Sequence, residues 1–520
     1  MKHTLGRKLV MNFALLLLAA LCIASCTIIE SQIDHHNGAN TEQVDPSNII
    51  TISSPLAITN VNVISPDSTQ MLENLTVLIE NGKITRVDQL FEIDQAYTVI
   101  DGTGKYLIPG LIDTHTHLAR SKNDLLLYLA LGVTQIANMS SLTDNTYLDW
   151  REEAENGALS PKIYIAAGGM TSKSGVMVKL KTYFGGSPGY NTADQARAAV
   201  QQFKRQGYDA IKAYNVNREA YLALNDEAKK IGIPVVGHLA SELTLDDLYN
   251  SGQSQLAHIE EITKATIREF GGLSGSNGDE YLDYLKLHAS EIAANLRKRN
   301  ISISTTLWLM ESLPNQRYDT HNFLNTIELE YQNPGIIEGS RLAPGWLPGR
   351  NPYQAQITIS ENDLEQLERS KNLTHVYVKA IQLMLKALAD NNVTILAGTD
   401  SNAACTIAGF SLHDELESLS AAGMTNEQVL RSATLAPAQW LHSNSGRITD
   451  GYRADLVLLN ENPLADIKNT RTIHAVIANG HFLSRQELDK ILTSIKQANN
   501  NSRKISIDEY LVDSVTLIRP

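Results

Sequence analysis

Two rhythms of apolar and polar positions divide the chain. Residues 56–64 (LAITNVNVI) alternate apolar and polar side chains, the period of a strand with one buried face. Residues 75–87 hold two such runs around Asn81-Gly82, a hairpin signal, and a short strand is predicted at 97–100. The same character returns at 453–460 (RADLVLLN) and at 473–484 (IHAVIANGHFLS), the latter with a turn at Asn479-Gly480. Both flanks are therefore β-rich and are expected to pair into one small sheet domain. Between them, short apolar runs alternate with helical stretches. The runs are LIDTHTH, then those near 132–138, 161–169, 208–214, 233–240, 254–261, 301–308 and 393–400, with helices predicted at 193–206, 218–231 and 375–390. Such alternation predicts an α/β fold with a parallel sheet, and eight units predict a (β/α)8 TIM barrel. Residues 312–360 are rich in Pro and Gly and carry Trp346. They read as a long excursion, either a substrate lid over the barrel mouth or a surface insertion. The tail 485–520 reads as a polar helix over 485–500, followed by a strand-like run, LVDSVTLI.

The N-terminus has a different purpose. Lys2, Arg7 and Lys8 precede a short apolar run from Met11 to Ile23 that has the length of a signal-peptide core. The run ends in Ile23-Ala24-Ser25-Cys26, which resembles the lipobox of bacterial lipoproteins; Cys22 fits less well because Leu21 stands where a small residue is needed. Lipidation at Cys26 is the expectation, with an ordinary secretory signal or an uncleaved anchor as the alternatives. The implied location is exported, lipid-anchored to a bacterial membrane, on the periplasmic side of the outer membrane. The following residues, including the His35-His36 pair, read as a solvated tether.

Composition narrows the function classes. Of the 520 residues 43% are hydrophobic and 19% charged, within the globular range. A formal charge of −13 argues against a nucleic-acid partner. Three cysteines cannot build a disulfide framework, and only Cys405 falls in the expected fold, where a buried small hydrophobe is the default.

Candidate chemistry lies on the barrel strands. His115-Thr116-His117 ends the first apolar run, and residues i and i+2 of a strand share a face. Lys212 stands in an apolar run (AIKAY), where an unpaired ammonium would be costly. His238, His258 and Asp400 end three further runs. Chemistry in such barrels gathers at the C-terminal ends of the strands, so five candidate ligands and a lysine there point to a metal site. Tyr214 shares the face of Lys212, and His413 follows the Asp400 run; both are candidate substrate-binding residues, with packing or structural roles as the alternatives.

PGLIDTHTHL, the Lys212 strand, His238, His258 and the GTD at 398–400 together resemble the amidohydrolase superfamily. Within it they are similar to the binuclear branch of imidazolonepropionase-like and prolidase-like hydrolases. The resemblance spans about residues 56–482 and implies a TIM barrel beside a small β-sandwich built from both flanks. The implied division is a signal peptide at 1–25, a tether at 26–52, sandwich parts at 53–108 and 445–484, the barrel at 109–444, and an extension at 485–520.

By the same resemblance, His115, His117 and Asp400 would hold one divalent ion and His238 and His258 a second. Lys212, carboxylated by carbon dioxide, would bridge them; a buried salt-bridge role in a single-metal site is the alternative. Zinc suits mixed imidazole and carboxylate ligation, with manganese, cobalt or iron also compatible. Two ions sharing a water yield a bridging hydroxide near neutral pH, and Asp400 would act as base and then acid. The implied function is hydrolysis of a C–N bond in a small amide, with dipeptides or N-acyl amino acids as leading substrates. Cyclic amide, lactone or ester hydrolysis is the alternative, and an inactive lipid-anchored binding protein a further one. Deamination is disfavoured: deaminases of this superfamily usually place a Glu three residues after the strand-five histidine, whereas here Glu242 stands four after His238. Whether the chain forms a homo-oligomer is left open.

Overall fold

The computed structural model describes residues 34, 37–53, 55–66, 71–89, 91–139, 145–173, 189–340, 345–346, 364–403 and 405–516. The expected lipidation site, Cys26, lies outside them, as do 341–344 and 347–363 of the Pro/Gly-rich excursion. Among the described residues no helix is long and apolar enough to cross a membrane.

The N-terminal flank supplies β1 (Ile52–Ser53), β2 (Leu56–Val63), β3 (Leu72–Glu80), β4 (Lys83–Asp88), β5 (Thr98–Asp101) and β6 (Tyr106–Pro109). Eight parallel strands follow: β7 (Leu111–Thr116), β8 (Val133–Asn138), β9 (Lys162–Thr171), β10 (Ala210–Asn215), β11 (Val235–Gly237), β12 (Gln255–Ala257), β13 (Ser302–Ser304) and β14 (Ile395–Leu396). The C-terminal flank adds β15 (Leu456–Leu459), β16 (Ile473–Ala478) and β17 (His481–Ser484).

Strands β7 to β11 form one parallel sheet in chain order, and β12 to β14 form another. Hydrogen bonds cross both seams. Ser254 N donates to Val235 O (2.9 Å) between β11 and β12. Thr114 N donates to Ala397 O (3.0 Å) and Asp400 N to His115 O (2.8 Å) between β7 and the end of β14. This is a TIM-barrel-type α/β fold. Because each strand is covered on both faces, β7, β8 and β11 to β14 are buried throughout, which is why they read as apolar runs rather than as alternation. The crossover helices are amphipathic. Ala193–Arg205 buries Ala196, Ala199, Val200 and Phe203 at helical spacing and begins with a Thr192/Gln195 capping box.

The two flanks do join. β15 pairs antiparallel with β6, and the strand path β1-β17-β16-β15-β6-β2-β3-β4, with β5 on β2, is one connected nine-stranded sheet. The expected small sandwich is thus, in its pairing, a single sheet. Leu56, Ile58, Val77, Ile79, Leu456 and Ile477 form its buried face.

Two expectations for the ends are corrected. Residues 37–53 are docked rather than a free tether: Arg120 N donates to Asn37 O (2.7 Å), Val44 N to Asn123 Oδ1 (2.9 Å) and Ile50 N to Glu487 Oε2 (2.9 Å). Residues 511–516 of the run LVDSVTLI form no strand but the end of the helix Ile507–Thr516, following the helix Arg485–Ser502. Ile507, Tyr510 and Leu511 stand at helical spacing and pack on Phe323, Leu324, Leu329 and Ile337 of the excursion. Short apolar runs do not separate the two periods.

His413, a candidate for substrate binding, is also corrected. It lies on the helix Phe410–Ala421, 1% exposed, with Nε2 on the Leu131 carbonyl (3.1 Å) and Nδ1 on Thr470 Oγ1 (2.9 Å). Leu131 precedes β8, so the ring is at the opposite end of the barrel from the strand-end histidines. Burial, with the Arg471 charge, pushes its pKa down from 6.5 to about 3. The folded state holds the ring neutral, so its contribution is complete above pH 6.5 and is lost as pH falls from there toward 3. Thermal unfolding from pH 8 down to roughly pH 5 should show a shallower loss of stability in His413→Gln than in the wild type, with the variant less stable at pH 8. Parallel pH profiles would contradict this account.

Candidate metal centre

The barrel brings the strand-end residues together. His115 lies within β7, with His117 one residue beyond it, Lys212 in β10, and His238 and His258 each one residue past β11 and β12. Asp400 arrives differently. β14 ends at Leu396, and the carboxylate is carried by a loop whose residue 400 has φ 57°. His258 (φ 68°) and Thr306 (φ 56°) are likewise left-handed, a costly conformation for residues with a Cβ that clusters at functional sites. Gly398 is required by close approach, since a Cβ there would meet Ser304 Oγ at 2.4 Å and His115 Cβ at 2.9 Å.

Asp400 Oδ1 lies 3.0 Å from His117 Nε2 and 3.3 Å from His115 Nε2. Lys212 Nζ lies 3.3 Å and 3.4 Å from the same two nitrogens and donates to the Met139 carbonyl (3.1 Å). The His115 and His258 rings are 4.6 Å apart and those of His258 and His238 4.7 Å apart. His115, His258 and Asp400 each offer a ligand atom, all within 4.8 Å of one another.

Burial decides the protonation. It pushes His115 well below its ordinary value and lowers His117, with the Lys212 charge second in both cases, and it takes His258 down to about 3. Lys212 is lowered to about 8 for the same reason. Burial alone would raise Asp400, but the hydrogen bond from His117 holds it well below the usual carboxylate range. The result is neutral imidazoles with free lone pairs around an ionised carboxylate. Among the described residues no carboxylate forms an ion pair with Lys212. A buried cluster of Lewis bases of this kind, with His115 Nδ1 also unpartnered, fits divalent metal ions.

Sequence reasoning missed the residues that orient this set. Glu261 Oε1 sits 3.2 Å from His238 Nδ1; burial would raise its pKa, but His238 and Lys264 take it down to about 2. Thr306 Oγ1 meets His258 Nδ1 at 2.8 Å. Such partners fix which nitrogen faces a metal. Glu415 accepts the Leu307 and Trp308 N–H groups and the Thr305 hydroxyl, holding the turn that carries Thr306. Asp113 accepts the N–H of His115 (3.1 Å) and the Thr399 hydroxyl (2.7 Å), joining the first and last strand ends. An acidic residue inside the apolar run of β7 was the available signal for Asp113.

Tyr214 reaches the cluster, 46% exposed and edge-on to His238 at 4.6 Å. His413 does not, as described above. Cys405 is buried, and burial pushes its thiol up to about 12, away from nucleophile chemistry.

Residues 106–483 match the model of the Amidohydrolase family. A 5'-deoxyadenosine deaminase from Methanosphaera stadtmanae is 23% identical over 448 residues, covering 81% of this chain and 92% of the relative. Among solved structures, a bottromycin amidohydrolase superposes with TM-score 0.62 at 20% identity, covering 86% of this chain and 90% of that one. A Xaa-Pro dipeptidase with bound methionine superposes with TM-score 0.58 at 18% identity, covering 83% and 100%. The buried donor set and this match agree: the chain belongs to the amidohydrolase family, whose members depend on metal, and is a hydrolytic enzyme.

Proposed function

We propose that the cluster is a binuclear metal site and that the enzyme hydrolyses a C–N bond in a small amide, with dipeptides or N-acyl amino acids as its substrates. The observation that carries this reading is the convergence of four imidazoles, one ionised carboxylate and one buried amine at the C-terminal ends of the barrel strands. In this assignment His115, His117 and Asp400 hold one ion, His238 and His258 the other, and zinc is the metal that suits the donors. Lys212 would serve both: its ammonium loses one proton, the resulting amine forms an N–C bond to carbon dioxide and releases a second, and the cation is replaced by an anionic carbamate.

Divalent ions bound there supply Lewis acidity, which lowers the pKa of water and polarises a scissile carbonyl. The chain does the remainder. Asp400 accepts the proton that the attacking water gives up and returns it to the leaving nitrogen as the C–N bond breaks, one carboxylate serving as base and then acid. Tyr214 donates its hydroxyl to a substrate carbonyl or carboxylate at the mouth. Glu261 and Thr306 keep His238 and His258 turned toward the centre.

Deamination is the second reading, favoured by the likeness to a named deaminase along most of the chain. Against it, Glu242 accepts the Arg218 N–H at the start of a helix rather than joining the cluster, and Lys212 is present as an additional donor. Export and lipid attachment at Cys26 belong to the proposal as well, on the lipobox-like sequence.

Four outcomes test these readings. Elemental analysis should find about two metal ions per chain, and Asp400→Asn should lower kcat at least about 100-fold while the protein stays folded; a folded wild type free of metal would sink the hydrolase mechanism. Lys212→Ala should lose metal and regain part of it, with activity, when a short carboxylic acid is added; full activity without the acid rules out the carbamate. Dipeptides and N-acyl amino acids should be turned over faster than adenosine derivatives, and ammonia released from the latter as the main activity would favour deamination. In a bacterial host, labelled fatty acid should enter the wild type and not Cys26→Ala; equal labelling would remove the anchor.

A further inference from the structure

The family match ends at residue 483, and the helix Arg485–Ser502 lies beyond it. That helix is nonetheless connected to the candidate metal centre by buried amides. Asn499, 2% exposed, donates Nδ2 to the carbonyls of Glu330 (3.1 Å) and Gln332 (3.4 Å) in the excursion. Arg503 adds hydrogen bonds to the Leu329 (3.0 Å) and Glu330 (2.9 Å) carbonyls, so the turn before Gln332 is gripped by its backbone. Gln332, 3% exposed, donates Nε2 to Asn402 Oδ1 (3.0 Å). Asn402 in turn donates Nδ2 to the His117 carbonyl (2.8 Å) and to Asp124 Oδ2 (2.7 Å).

The direction of this chain of bonds is fixed by its last members. The His117 carbonyl only accepts, so the Asn402 amide nitrogen must face it and the amide oxygen must face Gln332. Asn402 has one orientation, and Gln332 supplies the donor that satisfies it.

His117 is the ligand candidate with the greatest need of such support. The His115 side chain is fully buried within β7, whereas that of His117 is 34% exposed and stands one residue beyond the strand. Its backbone is held from both sides by the loop that carries Asp400: its N–H donates to Ser401 O (3.1 Å), and its carbonyl accepts from Asn402. The loop bearing Asp400 and the residue bearing the second imidazole are therefore hydrogen-bonded into one unit, and that unit is tied to the C-terminal helix.

We propose that Asn499, Gln332 and Asn402 are positioning residues, a relay by which the C-terminal helix holds His117 and Asp400 in register. The proposal rests on the metal reading above for its consequence, but not for its geometry. The relay supports the His115/His117/Asp400 side of the centre and leaves His238 and His258 alone, because those two are held by Glu261 and Thr306.

Asn402→Ala also strips a donor from the buried Asp124 and can unfold the loop, so the remote variants Asn499→Ala and Gln332→Ala carry the test in the full-length chain. Hydrogen exchange is read at 117–124 and 400–403, with 235–237 and 255–257 as internal controls. The relay requires faster exchange at the first two segments and no change at the controls. Acceleration confined to 485–502 and 329–332 would overturn it. Zinc is then titrated against a chelator. One of two ions should be lost with about 10–100-fold weaker affinity while the other stays; equal weakening of both, or of neither, would assign these residues a merely structural role. A wild type that holds no zinc would defeat the metal reading, and the exchange result would still decide the relay.

Discussion

Asp400 Oδ1 faces two imidazole nitrogens at 3.0 Å and 3.3 Å among the buried strand ends. An ionised carboxylate there is expensive unless it is compensated, and removing one partner from such a group costs several kcal/mol. The requirement reaches well beyond the cluster. The carboxylate must come from a loop, because β14 ends four residues earlier, and the loop must fold back through a left-handed residue to meet β7. Gly398 lets that loop pass against His115, and Asp113 ties the two segments from below. The closing seam of the barrel and the centre are thus one construction.

The same economy explains the uncharged histidines. Three imidazoles, those of His115, His117 and His258, and an ammonium crowded together cannot all carry protons, and desolvation removes those protons from the rings first. Neutral rings are the form that coordinates metal. A lysine in that company is the residue hardest to explain as structure alone. It has two imidazoles and a carbonyl around it and no ion-pair partner among the described residues, and the buried salt bridge that would have explained it is not present.

The barrel was legible because every strand is covered on both faces, so each appears as an apolar run ended by a polar residue. The ligand candidates were legible for the same reason: a histidine, lysine or aspartate closing such a run has no solvent to justify it. Their partners were not. Glu261 and Thr306 lie on the start of a surface helix and in a loop, where acidic residues and threonines are ordinary, and only the fold turns them toward His238 and His258. His413 misled because nearness in sequence to Asp400 suggested nearness in space; the helix that carries it runs back toward the base of the barrel and delivers the ring to Leu131. The run LVDSVTLI misled because a few apolar residues satisfy either period, and only the packing of Ile507, Tyr510 and Leu511 on the excursion selects the helical one.

Division of labour between the barrel ends follows the general logic of this architecture, in which strand termini carry chemistry and the opposite face carries stability. Here the division is blurred by two segments outside the family match and by the excursion within it. Residues 37–53, the excursion and the C-terminal helix all bind on the side where the first and last strands end, through Asn123, Gln332 and Asn402. A barrel closed between its first and last strands is weakest in covalent continuity at that seam, since His117 and Asp400 stand 283 positions apart in the chain. Non-local hydrogen bonds supply there what sequence adjacency supplies elsewhere: Thr114 to Ala397, Asp400 to His115, Thr399 to Asp113 and Asn402 to His117, with segments from both ends of the chain packed behind them.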